Sequence, residues 1–329
     1  MKKLFLSLVA AIVAVTATYA QSSLVATLSH KGEISVFHGS GSLKQAMEAA
    51  DHGDIITLAS GRYDAVNITK AVTLRGAGME EDATTGAFGT RIIGSFDINI
   101  TDETSEHLTI EGIYHESTIV LHGILNNAMF QKSRFGVITF YDSNVQANSL
   151  TIIHCRIESS LRLPTVTATL ISCVVNNLSN NGGNMEFTNC ILHGEVCRTY
   201  NSLFTNCLFN VSKTGGWGIL NDTNMATYCA AVVSTYDGSV FKNVGKLTNK
   251  DIASEADFSA LFKSGSYYEL TDEAKSEYVG QDGKEMGIYG GNLPYETRIL
   301  SPQITKCDVA AKTTADGKLS VDIEVKAAE

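Results

Sequence analysis

Between residues 108 and 211, apolar and polar positions alternate in short runs that can be written one beneath another. The runs are LTIEGIYHES from Leu108, AMFQKSRFGV from Ala128, LTIIHCRIES from Leu150, ATLISCVVNN from Ala168, MEFTNCILHG from Met185 and SLFTNCLFNV from Ser202. Each holds an apolar pair in alternation, a small or polar kink, and a further apolar residue. The kinks fall at Gly112, Ser133, Cys155, Cys173, Cys190 and Cys207. Period-two alternation predicts strands, and the β-branched and aromatic content disfavours helices. A recurrence of about 20 residues predicts coils stacked on one another, because one coil cannot bury its inward residues alone. Leucine-rich repeats require leucines and an asparagine at offsets this chain lacks, and left-handed hexapeptide helices require a six-residue beat that is absent. The expected fold is all-β: a right-handed parallel β-helix with tight turns between short strands.

In this reading "FTNC" is the inner wall of a coil. Phe187 and Phe204 stack inward with Cys190 and Cys207, while Asn189 and Asn206 occupy the bend. Each buried Phe, Leu or Ile contributes about 1.5–3 kcal/mol relative to exposure. The chain has seven cysteines. Four follow the coil period, at Cys155, Cys173, Cys190 and Cys207. Disulfide frameworks have no reason to be periodic, and side chains pointing in parallel misfit the dihedral near 90° that a bridge needs, so the leading expectation is a ladder of buried free thiols, with bridged neighbours as the alternative.

The N-terminal part supplies a cap for the first coil, whose edge would otherwise recruit other chains. In "GSLKQAMEAADHGDIITLASGRYDAVNITKAVTLRGAG", Ser42 precedes a helical face of Leu43, Ala46, Met47 and Ala50. The order of short helix, "GD", strand, "SGRYD" and "ITKAVTLRGAG" resembles the opening of secreted proteins of the pectate-lyase-like, right-handed β-helix superfamily. "YYELTDEAKSEYVGQDGKEMGIYGGNLPY" is similar to the closing coil of its bacterial members. The resemblance spans roughly residues 35 to 300. It implies architecture rather than chemistry, since the superfamily holds lyases, hydrolases, adhesins and members of no known activity. Residues 301–329 read as a β-hairpin or small add-on, with a turn at Asp316-Gly317.

The first 20 residues, MKKLFLSLVAAIVAVTATYA, show the lysines, apolar run and small-residue end of a cleaved signal peptide. Residues 21–300 then form the coil with its cap. An exported protein, periplasmic, cell-surface or extracellular, is expected, with no membrane insertion of the mature chain. The formal charge of −10 argues against nucleic acid as a partner. No cofactor is expected.

Chemistry is sparse. What the resemblance implies for an enzyme is a calcium-binding carboxylate cluster with a basic residue, or three clustered aspartates with His and Arg-x-Lys motifs. Glycoside hydrolysis in general needs two flanking carboxyl groups. No aspartate lies between Asp142 and Asp222, and Arg-x-Lys is absent from the coils. His154, Arg156, Glu158 and Arg162 fall on one coil, with His193, Glu195 and Arg198 two coils on. His154, Arg156, Glu158 and His193 are the catalytic candidates, as a lyase base with neutralising partners. Trp217, Tyr200, Arg162 and Arg198 are the ligand-binding candidates, the aromatic rings serving as sugar platforms. His193 and Cys197 have a zinc-compatible spacing but lack a second pair, so no metal site is expected. The leading expectation is a non-catalytic exported β-helix that binds a polysaccharide, a cell-surface glycan or another surface partner. The alternatives are a lyase or glycoside hydrolase on acidic polysaccharide with an atypical site, and a structural or assembly module.

Overall fold

The computed structural model describes residues 24–298 apart from 82–88, 102–103, 124, 141–148, 164–166, 180–183, 195, 198–199, 211–222 and 234–247. It also describes residues 303–309 and 321–326. The expected signal peptide lies outside the described residues, as do Trp217, Glu195 and Arg198. No helix among the described residues is long and apolar enough to cross a membrane.

From Ile55 onward the chain passes back and forth between an 11-stranded and a 13-stranded sheet. Neighbouring strands within both sheets are parallel from that point, giving an all-β solenoid of about seven turns. The register follows the sequence alignment. Phe130, Ile152, Leu170, Phe187, Phe204 and Ala226 form one inward column of the first sheet. All six are buried, and the Phe187 and Phe204 rings stack at 4.7 Å.

Each coil bends between the sheets through one residue in the left-handed conformation: Gly112, Lys132, His154, Ser172, Asn189, Asn206 and Tyr228, with φ between +47° and +67°. For a non-glycine residue this conformation costs ~1–2 kcal/mol. The bend stays hydrogen-bonded along the stack, which offsets that cost. The His154, Ser172 and Asn189 amides each donate to the next coil at 3.0 Å. The following residue turns inward, and here the cysteines stand. Cys155, Cys173, Cys190, Cys207 and Cys229 are buried free thiols, each donating to the carbonyl two residues earlier at 3.2–3.4 Å. Ser133 makes the same bond with its hydroxyl at 2.8 Å. Burial raises the Cys155, Cys173, Cys190 and Cys207 thiols well above their ordinary pKa, so they are inert.

Two details of the alignment are corrected. Gly112 belongs to the bend column with Lys132 and His154, and Ile113 is the residue level with Ser133, because the strand on either side of the bend pairs Glu111 with Gln131 and Tyr114 with Arg134. A further coil, "MATYC", places Cys229 in the cysteine column, 22 residues after Cys207.

The N-terminal cap is larger than the helix alone. Strands β1 (Val25–His30) and β2 (Glu33–His38) form an antiparallel hairpin. Lys31 and Gly32, both at positive φ, make its two-residue turn. Strand β1 extends the first sheet by pairing antiparallel with Ile55–Leu58. Helix α1 (Ser42–Ala49) buries Leu43, Ala46 and Met47 against this end of the core. Gly41, not Ser42, occupies its N-cap, because Gly39 at φ +87° turns the chain early enough for Ser42 to enter the helix. At the other terminus Gln303–Val309 and Val321–Lys326 pair antiparallel, the expected hairpin, and its turn lies outside the described residues.

The stretch resembling a closing coil does something else. After Lys250–Ile252, no described residue up to 298 joins either sheet. The chain forms the short helices α2 (Glu255–Ala260) and α3 (Asp272–Glu277) and lies against the outside of the solenoid. The reason is visible in one outward column of the second sheet, where Val174, Ile191, Leu208 and Ala230 are apolar. With Phe258, Leu261, Leu270, Met286 and Ile288 they bury a second apolar cluster outside the coil.

Candidate functional site

The bends at Lys132 through Asn206 are the rail on which residues 280–298, here called the strap, are laid. The Gln281 amide donates to Asn206 Oδ1 at 2.8 Å, and the Gly287 amide to the Asn206 carbonyl at 2.9 Å. Gly291, at φ +73°, lies so near Asn189 that a Cβ would stand 1.9 Å from its Nδ2. The Leu293 carbonyl accepts from Ser172 Oγ at 2.5 Å and from His154 Nε2 at 3.2 Å. Lys132 Nζ donates to the Arg298 carbonyl at 2.9 Å and lies 3.7 Å from Glu296. The strap thus descends the stack one coil at a time, antiparallel to its growth. This accounts for the last glycine of "GIYGG"; at Gly290 a Cβ would instead meet the strap's own Glu285 carbonyl at 1.8 Å, and at Gly287 it would stand 3.0 Å from Leu208 Cδ1.

The catalytic candidates meet this segment rather than an open groove. His154 is buried, with Tyr295 edge-on at 6.2 Å, and burial lowers its pKa. Its Nδ1 has no partner among the described residues. His193 lies against Phe258 and Tyr268 at 5.8 and 5.1 Å, and burial pushes its pKa down to about 4. Arg156 stacks over Tyr267 at 3.8 Å and pairs with Glu80. Glu158 is engaged by Arg134 at 2.7 Å. The structure therefore places His154, Arg156 and His193 under one C-terminal segment, and Glu158 in a separate ion pair. Of the ligand-binding candidates, Arg162 is exposed at a strand end and Tyr200 is exposed at a coil edge. They are not part of the strap contact. No group of three metal-ligating side chains occurs among the described residues.

Where the strap ends, a cleft of about 320 Å³ opens, lined by Glu80, Tyr267, Tyr289, Tyr295, Glu296, Thr297 and Arg298. Tyr295 holds the three rings together, 5.5 Å from Tyr267 and 6.0 Å from Tyr289. Its hydroxyl is buried without a partner among the described residues. Desolvation raises the pKa of all three phenols, keeping them protonated donors at neutral pH. Arg298 Nε lies 3.5 Å from Glu296, and Arg156 fixes Glu80 from beneath Tyr267. Aromatic faces flanked by oriented carboxylates and a guanidinium can stack on the apolar face of a sugar ring and hydrogen-bond its hydroxyls. The sequence reading missed this cleft. A usable signal was present, since five of the twelve tyrosines fall between Tyr267 and Tyr295.

Comparison with protein-family models, with curated proteins and with solved structures returns no match for this chain.

Proposed function

We propose that this protein is an exported, right-handed β-helix of the pectate-lyase-like kind that binds carbohydrate without cleaving it, and that the tyrosine cleft is the binding site. One observation carries the reading: Tyr267, Tyr289 and Tyr295 share a cleft with Glu80, Glu296 and Arg298, already oriented by ion pairs. Its volume, about 320 Å³, falls at the small end of ligand sites, roughly 300–1,000 Å³. Tyr200 and Arg162 are exposed and do not line this cleft. The enzyme reading has less support, because His154 lies beneath the strap, His193 lies beneath Phe258 and Tyr268, and the arginine and glutamate are already paired.

The test uses the chain from Gln21 onward, with retention on a panel of insoluble and gel-embedded polysaccharides. Retention by the parent protein is expected, with at least a tenfold loss in Tyr289→Ala. Retention that survives Tyr289→Ala but is lost in Trp217→Ala moves the site to the tryptophan loop. New reducing ends or unsaturated uronides during incubation, lost in His154→Ala, replace the binding reading with an enzymatic one.

A further inference from the structure

We propose that strand β2 is a pairing edge, and that two copies of this chain join there, antiparallel, across a two-fold axis at Val36. The two ends of the first sheet stop in different ways. At the C-terminal end, on strand Met225–Thr227, the Ala226 carbonyl accepts from Asn249 Nδ2 at 2.7 Å. The adjoining Tyr228 and Cys229 amides donate to the Thr248 hydroxyl at 3.1 Å and to Asn249 Oδ1 at 2.9 Å. Those side chains occupy groups that a further strand would need. At the N-terminal end β2 is outermost, and no strand among the described residues pairs with its outer side. The Gly39 amide donates to the Leu24 carbonyl at 2.8 Å, so residues 33, 35, 37 and 39 bond to β1. The amides and carbonyls of Ile34, Val36 and His38 therefore point away from the sheet. Ile34 and Val36 are 71% and 50% exposed, and no proline, bulge or lysine blunts the strand.

A second copy fits this edge because the edge is its own complement. With Val36 facing the partner's Val36, Ile34 meets the partner's His38 and His38 meets the partner's Ile34. Each of these pairs exchanges two backbone bonds. A register shifted by one residue would set outward groups against inward ones. The axis places an uncharged side chain against itself, and no like charges stand opposite one another. Ile34 lies in one row with Ser29 and Ile55, so the exposed aliphatic side chains of both copies form a single strip across the join. Such a contact is isologous and closed, because it consumes both edges and cannot grow into a fibre. A six-residue edge is about 20 Å long and buries less than the roughly 800 Å² per partner of a standard interface. The dimer is therefore expected in the micromolar range, not as an obligate pair.

The experiment is sedimentation equilibrium of the chain from Gln21 onward between about 1 and 100 μM, a range that brackets a micromolar dissociation constant. The expected result is a mass that rises with concentration to twice that of one chain and no further. Val36→Lys sets two like charges on the axis and should weaken association at least tenfold. Melting curves matching the parent show that the variant strand remains folded. Cysteine substitution then fixes the register. Paired Cα atoms at position 36 would lie about 5.5 Å apart, within disulfide reach, so Val36→Cys should give a covalent dimer under mild oxidation. Ile55→Cys, on the third strand from the edge, should give no crosslink beyond the parent. A parent that stays monomeric throughout the range leaves the edge to a strand of another protein and overturns the proposal. Association that survives Val36→Lys, or a Val36→Cys chain that does not crosslink, places the contact on another face and overturns it as well.

Discussion

The same outward position on successive coils of the second sheet has two characters. From Arg62 through Arg91, Tyr114, Arg134 and Arg156 it carries cations and one ring; from Val174 through Ile191, Leu208 and Ala230 it is aliphatic. In the first region Tyr114 sits between Arg91 and Arg134, with ring distances of 5.0 and 4.2 Å, and the arginines pair with Glu116 and Glu158. In the second the column disappears beneath the C-terminal segment. Arg156 is the boundary, half in each world, bound to Glu80 and covered by Tyr267. The lesson is that a solenoid's inward columns specify the coil, while its outward columns specify what lies on the coil.

The comparison breaks most severely at Leu208. Leu208→Asp puts an unpaired charge into the outer apolar cluster and should cost about 4 kcal/mol or more, or release the segment. Chemical denaturation measures the loss, and limited proteolysis should cut between residues 255 and 298. An unchanged midpoint would mean that the outer cluster contributes little to holding the segment in place.

A pH titration comes next. Folded His193 has a pKa near 4 against an ordinary 6.5, so the unfolded chain takes up its proton first on acidification. The contribution of His193 is full above pH 6.5, declines between 6.5 and 4 and is gone below, a loss of up to about 3 kcal/mol. Burial shifts His154 in the same direction. Melts of His193→Leu across that window should show a shallower slope than the parent.

Gly291→Ala probes the rail itself. The left-handed backbone and the approach to Asn189 predict a loss of about 1–3 kcal/mol and weaker saccharide binding, because the strap carries Tyr295 and Arg298. Arg134→Ala, on the uncovered side, should change stability by only about 1 kcal/mol or less. If Arg134→Ala proved as costly as Leu208→Asp, the distinction between the two halves of the column would fail.

The coil was legible because it says the same thing repeatedly. "FTNC" fixes an inward phenylalanine, a left-handed bend and a buried thiol, and neighbouring coils confirm each assignment. The first hairpin was legible in principle, since "VATLSHKGEISVFH" alternates around Lys-Gly, but it occurs once and no neighbour reinforces it. The strap was not legible. Its hydrogen bonds join residues between 75 and 166 positions apart, and its glycines read equally well as turns of another coil. The cleft was further from view, because Glu80 meets Tyr267 and Tyr295 only once the strap is in place. His154 was noticed for its chemistry, yet the structure gives it a position in the rail, where a left-handed bend and a donor to Leu293 are what the site uses.

The strap also changes when the molecule becomes stable. In an untied stack each coil depends on its neighbours, so the end can fray one coil at a time. Here a single peptide holds the coils from Lys132 to Asn206, and loosening it weakens all of them together. That peptide is made after the coils it fastens. A chain leaving a ribosome or threading a pore presents its coils first and its fastening afterwards. The coil half stays comparatively easy to unravel until residues 280–298 have emerged, and the tyrosine cleft comes into being in the same step that locks the stack.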